Sequence, residues 1–180
     1  MRARSRNKSW EPFLDVIFQP LADVPAYFDV ITATDGEFEY LVAQIKKSFM
    51  VLSAVPWITD MAASKVLHLK RPGVFAISDS YVREALAVRE PNSRPYPGRA
   101  EYFSERGVSV IRAVRAVGRA NLTELLGLQA TLAHRVPSYQ LSLLRMVDIL
   151  VWVDMAIWRH HPHWEPVARE RGWTTVAASI

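Results

Sequence analysis

The chain contains no cysteine among its 180 residues. Disulfide scaffolds, cysteine-ligated iron–sulfur clusters and cysteine zinc sites are therefore excluded. The chain also lacks a long apolar run, because the uncharged stretch 48–59 is too short to span a bilayer and contains Pro56. The basic start of the chain has no apolar segment behind it. We therefore expect no signal peptide, no membrane partner and a cytoplasmic location.

Internal repeats, low-complexity tracts and a convincing strand alternation are also missing from the sequence. Half of the residues are hydrophobic and 22% are charged, which is typical of a globular protein rather than a disordered one. A chain of this length usually forms one domain. We predict a disordered basic tail at residues 1–9, followed by a single helical domain over residues 10–180.

Hydrophobic residues recur at helical spacing along most of the chain and predict an all-α fold of about six to eight helices. Prolines and capping residues set the expected bounds. We expect Asp35 and Asp60 to cap helices and Gly107 to interrupt one. The first predicted helix begins at residue 35 and ends before Pro56. The others cover residues 60–70, 78–88, 101–119, 121–134 and 138 to about 159. The last of these begins after Pro137 and buries a stripe of Leu141, Leu144, Val147, Val151, Met155 and Trp158.

The net charge of +4 is unevenly distributed along the chain. Residues 1–10 carry four basic groups and no acid, residues 11–60 carry a net charge of −6, and residues 61–120 carry +6. The tail and the middle third are therefore suited to attract an anion, whereas the first third repels one. Arg112, Arg115 and Arg119 share one helical face in the middle third. This stripe suits phosphate tracking, and a solvated helix face is the alternative.

The centre of the chain carries an ordered set of motifs between residues 38 and 86. Val55-Pro56-Trp57-Ile58-Thr59 precedes the run Ala-Ser-Lys-Val-Leu-His-Leu-Lys-Arg-Pro, and Ile77-Ser78-Asp79 follows. This order resembles the hairpin-and-aspartate segment of the helix-hairpin-helix DNA glycosylase superfamily, and the run is similar to bacterial relatives of the 8-oxoguanine glycosylases. The spacing from the hairpin proline to the aspartate also matches. The resemblance implies a hairpin at residues 38–71 and DNA as the partner.

The resemblance further implies that Asp79 is the catalytic carboxylate. Cleavage of an N-glycosidic bond builds positive charge on the sugar, and a nearby carboxylate stabilises that charge and activates water. The family's Schiff-base lysine falls on Met61 here. We therefore expect a DNA N-glycosylase without lyase activity and without a cofactor or metal. Asp79 also suits a helix N-cap, which is the structural alternative.

Five further residues near the hairpin are predicted to bind nucleic acid. Lys65, Lys70 and Arg71 lie on or just after the hairpin helix, where cations also favour the helix dipole. Trp57 and Thr59 replace family glycines that let backbone amides approach a phosphate. Trp57 would stack on a base or, alternatively, belong to the core.

Other titratable residues have structural interpretations. His160, His161 and His163 have poor spacing for a metal site. His68 is expected to be a surface or packing histidine. Asp148, within an apolar helix, is expected to form a structural ion pair, with Arg145 as one candidate partner.

Three function hypotheses remain open on the sequence. The first is a monofunctional base-excising hydrolase, and the second is a non-catalytic nucleic-acid-binding module on the same scaffold. The third is a protein-interaction module, for example a component of a defence or toxin system, with its partner unspecified. A cavity beside Asp79 bordered by a basic surface would favour the first hypothesis. A satisfied Asp79 with no basic face would favour the third.

Overall fold

The structure, a computed structural model, describes residues 19–55, 58–88, 98–138 and 140–155. Within these ranges there are six α-helices, one 3-10 turn at Gln19–Leu21 and no strand. The helices are α1 (Asp35–Ser53), α2 (Asp60–Lys70), α3 (Ser80–Ala85), α4 (Arg99–Ala120), α5 (Leu122–Arg135) and α6 (Leu143–Val153). The all-α prediction is confirmed. The predicted tail at 1–9, Trp57, Trp158 and the three histidines at 160, 161 and 163 lie outside the described residues.

Threonines, not the predicted aspartates, cap the first two helices. The Thr34 hydroxyl accepts a hydrogen bond from the Glu37 amide at 3.3 Å, and the Glu37 carboxylate accepts one from the Thr34 amide at 2.8 Å. This reciprocal pair is a capping box. The Thr59 hydroxyl accepts from the third amide of α2 at 3.3 Å. The predictions for Asp35 and Asp60 were wrong by one residue, and both carboxylates instead lie in the first turn, where the helix dipole favours negative charge.

Helices α1 and α4 pack closely against each other at the centre of the molecule. Gly107 does not interrupt α4, so that prediction was wrong. A Cβ atom at Gly107 would lie only 2.5–2.8 Å from ring atoms of Phe49. Glycine therefore permits the close approach of the two helices, and tertiary packing outweighs its low helix propensity.

The buried hydrophobic residues of the described ranges form one core. It takes its largest fully buried side chains from α1, α2, α4, α6 and the intervening segments. These side chains include Ile31, Ile45, Phe49, Leu52, Leu67, Phe75, Ile111, Leu144 and Met155. The predicted stripe is buried at Leu144, Val147 and Val151 on α6 and at Met155 just after it, while Leu141, before α6, is half-buried. None of the described helices is both long enough and apolar enough to cross a membrane.

Helix α6 begins at Leu143, later than predicted, and Pro137 lies in the non-helical segment before it. Ser142 is its N-cap. The Asp29 carboxylate, from the other end of the chain, also accepts the amides of Leu143 at 2.7 Å and Leu144 at 3.4 Å. Burial raises the pKa of Asp29, against the effect of these backbone donors. The start of α6 is thus set by tertiary contacts that the local proline pattern does not reveal.

Candidate functional site

Asp79 caps α3, as its structural interpretation predicted. Its Oδ1 accepts a hydrogen bond from the Val82 amide at 2.8 Å. The two residues before it are fixed by buried polar groups: the Ile77 amide donates to Asp148 Oδ2 at 2.9 Å, and the Ser78 amide donates to Ser64 Oγ at 2.9 Å. These contacts hold the non-helical segment between α2 and α3 and therefore fix the place of Asp79.

A buried ion cluster at the start of α2 supports the same segment. The Asp60 carboxylate accepts from Arg106 at 2.6 Å, from Arg83 at 3.3 Å and from the Ser78 hydroxyl at 3.2 Å. Arg83 also donates to the Ser78 carbonyl oxygen at 2.9 Å. Because the charge of Asp60 is matched by two guanidinium groups, its burial is tolerated. The cluster joins α2, α4 and the residue before Asp79.

Asp79 lines a cavity of about 340 Å³ between α2, α3 and α6. This size lies at the small end of the range for ligand pockets, roughly 300–1,000 Å³. The lining residues are Lys65, Ile77, Asp79, Val82, Arg145, Asp148, Ile149 and Trp152. The Trp152 side chain is partly exposed, and its ring meets Tyr81 edge to face with centroids 6.3 Å apart. The cavity thus combines two carboxyl groups, two cations and an indole ring.

Asp148 is the second carboxyl group of this cavity, and its side chain is only 1% exposed. Burial raises its pKa to about 7; the charge of Asp79 adds to this, whereas the Ile77 amide and Arg145 act in the opposite direction. Arg145 Nη1 lies 3.7 Å from Asp148 Oδ2, so the predicted partner is present. Asp148 Oδ1 is buried and has no hydrogen-bond partner among the described residues.

His68 lies behind Asp148 and is a packing histidine. Its Nδ1 is 2.6 Å from the carbonyl oxygen of Phe75. A carbonyl oxygen only accepts, so Nδ1 carries the proton. Burial lowers the pKa of His68, and a neutral ring follows at neutral pH. Because His68 is neutral, the 4.0 Å between Nδ1 and Asp148 Oδ2 is not an ion pair.

The residues predicted near the hairpin have different placements. Lys65 is exposed and lines the Asp79 cavity, and Lys70 is exposed at the end of α2. Thr59 caps α2 through its hydroxyl, which gives a structural reason for threonine at this position. The Arg71 guanidinium donates to the carbonyl oxygens of Val24 at 2.8 Å and Leu21 at 3.2 Å, within the chain.

The arginine stripe on α4 contacts the acidic α1 helix. Arg112 bonds Glu39 at 2.8 Å, and Arg119 bonds Asp35 at 2.6 Å. Arg115 bonds Asp35 at 2.8 Å and also donates to two backbone carbonyl oxygens. The separated charges of the first and middle thirds therefore meet in the fold. Phosphate contact by these arginines remains a prediction, and it would compete with the ion pairs.

The chain matches the model of DUF6308, a family of unknown function, over residues 11–155. The chain belongs to this family. The match includes all six helices and every residue that lines the Asp79 cavity. Neither the curated proteins nor the solved structures include a significant match.

Three cavity residues have no predicted functional role: the sequence predicts an ion pair for Arg145 and Asp148, and it gives no signal for Trp152. All three lie on one face of α6, since positions 145, 148 and 152 are separated by three and four residues. This spacing is visible in the DUF6308 chain's sequence beside the buried stripe. The sequence does not show that this face meets the segment of Asp79, because the hydrogen bond that joins them, from the Ile77 amide to Asp148, links residues 71 positions apart.

A larger cavity, about 510 Å³, lies between α5, the start of α6 and residues 26–28. Its described lining contains no carboxylate, histidine, lysine or arginine. In the part of the chain that the structure describes, no three histidine or acidic side chains converge as a metal site would require. The Asp79 cavity therefore has the stronger combination of reactive groups.

Proposed function

We propose that this DUF6308 protein is a glycosylase-like enzyme that hydrolyses the bond between a base and its sugar in DNA. The observation that carries the proposal is that Asp79 lines a cavity together with Lys65, Arg145 and Trp152. The resemblance of residues 38–86 to helix-hairpin-helix glycosylases assigns the catalytic carboxylate to this same aspartate. The cavity contains two carboxyl groups, and the resemblance favours Asp79 of the two.

The geometry of Asp79 suits a carboxylate that stabilises a cationic sugar. Oδ1 is held by the Val82 amide, and no hydrogen bond within the described residues engages Oδ2. A base turned out of the duplex would enter the cavity, where an exposed indole face such as that of Trp152 supplies stacking. Asp79 would then lie beside the anomeric carbon and accept a proton from the attacking water.

Hydrolysis without strand cleavage fits the residue at the family's lysine position. Met61 has a partly exposed side chain in the first turn of α2, and a thioether cannot form a Schiff base. Lys65 lies one turn further along and borders the cavity, where its charge suits a DNA phosphate. We therefore assign Lys65 to binding and Asp79 to the reaction.

A protein-interaction module is the second candidate, because much of the predicted basic surface is neutralised within the chain. Arg112, Arg115 and Arg119 pair with Glu39 and Asp35. Asp79 also has a structural role as a helix cap. In this alternative the scaffold serves packing, and the cavity binds no base.

A DNA-binding titration at two salt concentrations separates these candidates. The glycosylase proposal predicts affinity for duplex DNA that falls as salt rises, because each phosphate contact releases counterions. Lys65→Gln should weaken binding and reduce the salt slope by about 1. Lys47→Gln, an exposed lysine of α1 that does not line the cavity, is the matched control and should leave both unchanged. Affinity without salt dependence, or no affinity, would overturn the proposal and favour the interaction module.

Abasic-site formation tests the reaction itself. Duplexes that each carry one modified base are incubated with the protein and then heated in alkali to cleave abasic sites. At least one duplex should be cleaved only after alkali, since no lyase step is expected. Cleavage without alkali would contradict the monofunctional assignment.

A further inference from the structure

Two cations of the Asp79 cavity are not engaged by the chain itself. Other described arginines donate hydrogen bonds within the fold, for example Arg83, Arg106 and Arg115. The Arg145 guanidinium forms none within the described residues, and its contact with Asp148 Oδ2, at 3.7 Å, is too long for a hydrogen bond. Lys65 is exposed and has neither a hydrogen bond nor an ion pair in the same part of the chain. Both side chains line the cavity, so their N–H donors are available to an anion.

Arg145 and Trp152 lie on one face of α6, the arginine near its start and the tryptophan near its end. They are separated by two helical turns, or about 10 Å along the axis. The side chain of Arg145 is 31% exposed and Trp152 is 44% exposed, so a ligand can reach both. An exposed indole ring stacks on a nucleobase, and a guanidinium holds a phosphate through parallel hydrogen bonds. The separation is similar to the length of a nucleoside monophosphate from its phosphate to its base.

The accessible charge of the cavity is net positive. The Asp148 side chain is only 1% exposed and its Oδ2 accepts the Ile77 amide, so this carboxyl group does not reach a ligand. Asp79 adds one negative charge, and its Oδ1 is occupied by the Val82 amide. Two accessible cations therefore face one accessible carboxylate, and the cavity attracts an anion.

We propose that the cavity is a binding site for a single nucleoside monophosphate, with the phosphate on Arg145 and Lys65 and the base on Trp152. The arginines of α4 pair with acidic residues of α1, so the described chain offers a small anion better contacts than it offers a long strand. The inference deepens the proposed function by naming the unit that the cavity holds. It rests on that function only for the choice of a nucleobase as the stacked ring, and it does not need the hydrolysis step. Because the phosphate is bound within the cavity, a free nucleotide should be a sufficient ligand.

Titration calorimetry with the four deoxynucleoside monophosphates tests this site. At least one should bind with a Kd of about 1 mM or tighter. The corresponding deoxynucleoside and inorganic phosphate should each bind about 10-fold more weakly or worse, since each lacks one of the two contacts.

Variants of the cavity assign the contacts. Arg145→Gln and Lys65→Gln should each weaken nucleotide binding by about 10-fold, because a hydrogen bond to a charged group is lost. Trp152→Leu should weaken it by a similar factor through loss of stacking. Arg135→Gln, an exposed arginine at the end of α5 that does not line the cavity, is the matched control and should bind as wild type does. Urea unfolding with an unchanged midpoint shows that each variant is folded.

A short single strand of DNA distinguishes a free nucleotide from one unit of a strand. If the cavity holds one unit, the affinity for the strand should depend on salt with a slope of about −1.4, because two cations contact phosphate. A strand that binds more weakly than the nucleotide would identify the free nucleotide as the ligand. A slope of about −3 or steeper would place the strand along an extended basic surface and overturn the single-nucleotide site.

Three results of the calorimetry would overturn the proposal: no nucleotide bound with a Kd of about 1 mM or tighter, equal affinity for nucleotide and inorganic phosphate, or cavity variants that bind as wild type does. Base release from a duplex without nucleotide binding would overturn this site and retain the glycosylase. Nucleotide binding without base release from any duplex would retain this site and overturn the proposed hydrolysis.

Discussion

Replacing Asp148 by asparagine should stabilise the protein increasingly as the pH rises. In the native state burial raises the Asp148 pKa to about 7, whereas its ordinary value is 3.8. Between these two values the folded protein holds a proton that the unfolded chain releases, so wild-type stability falls as pH increases. The difference of about 3 units corresponds to about 4 kcal/mol when the group is fully ionised. Asparagine has no charge to bury and retains an acceptor for the Ile77 amide.

Urea unfolding at about pH 5 and pH 8 measures this effect. Across that interval the stability of Asp148→Asn relative to wild type should rise by about 3 kcal/mol, because about two pH units lie below the native pKa. Taking the difference in unfolding free energy between variant and wild type cancels the contributions of His68 and of other groups that titrate in both proteins. A useful control is Asp35→Asn, since Arg115 lowers the pKa of this exposed carboxyl. The stability that the Asp35 carboxylate contributes is lost only in more acidic solution. The stability of Asp35→Asn relative to wild type should therefore stay constant from pH 5 to pH 8.

A constant stability difference between Asp148→Asn and wild type at the two pH values would refute this reasoning. Such a result would mean that Asp148 is ionised in the folded protein throughout the interval. A variant that is less stable than wild type at both pH values, by an amount that shrinks by about 3 kcal/mol from pH 5 to pH 8, would retain the reasoning and indicate that the amide also fits poorly beside Ile77.

Four further substitutions test the fold by urea or thermal unfolding. Gly107→Ala should destabilise the protein by about 1–2 kcal/mol, because overpacking against Phe49 exceeds the gain in helix propensity. The matched control is Gly127→Ala, which lies in open space on α5 and should stabilise the protein by about 0.5–1 kcal/mol. Equal effects of the two substitutions would contradict the close α1–α4 contact. Ala87→Gly should stabilise by about 0.5–1 kcal/mol, because Ala87 has a positive φ of 47° after α3, and a loss of stability would argue against that conformation. Asp29→Ala should cost about 2–3 kcal/mol by leaving amides at the start of α6 unpaired, and a neutral effect would exclude this cap.

Much of the helical architecture follows from local sequence. Hydrophobic spacing predicted six helical segments. Helices α1 and α2 start at the predicted residues, and their N-caps lie one residue earlier than predicted. The main boundary error was at α6, where the proline at 137 suggested an early start. Its actual start depends on Asp29, more than a hundred residues away. Long-range capping of this kind leaves no local pattern, so sequence periodicity could not place it.

The candidate site was predicted only in part. The motif order identified Asp79, and the helical spacing on α6 contained Arg145, Asp148 and Trp152. Their meeting depends on how α6 packs against the segment before α3, which is a tertiary contact. The charge pattern indicated an anion-attracting middle third, but the arginines of α4 meet acidic residues of α1. Net charge along the chain therefore overstated the free basic surface.

The single-turnover rate of abasic-site formation by wild type and Asp79→Asn tests the central claim most directly. Asparagine caps helices as well as aspartate does, so the Val82 amide keeps its acceptor and the fold should retain its stability. Only the charge is removed. The proposed function predicts base release by wild type and a rate lower by about 100-fold or more in the variant, with unchanged unfolding by urea. Equal rates in the two proteins, or no base release by wild type, would contradict the assignment of Asp79.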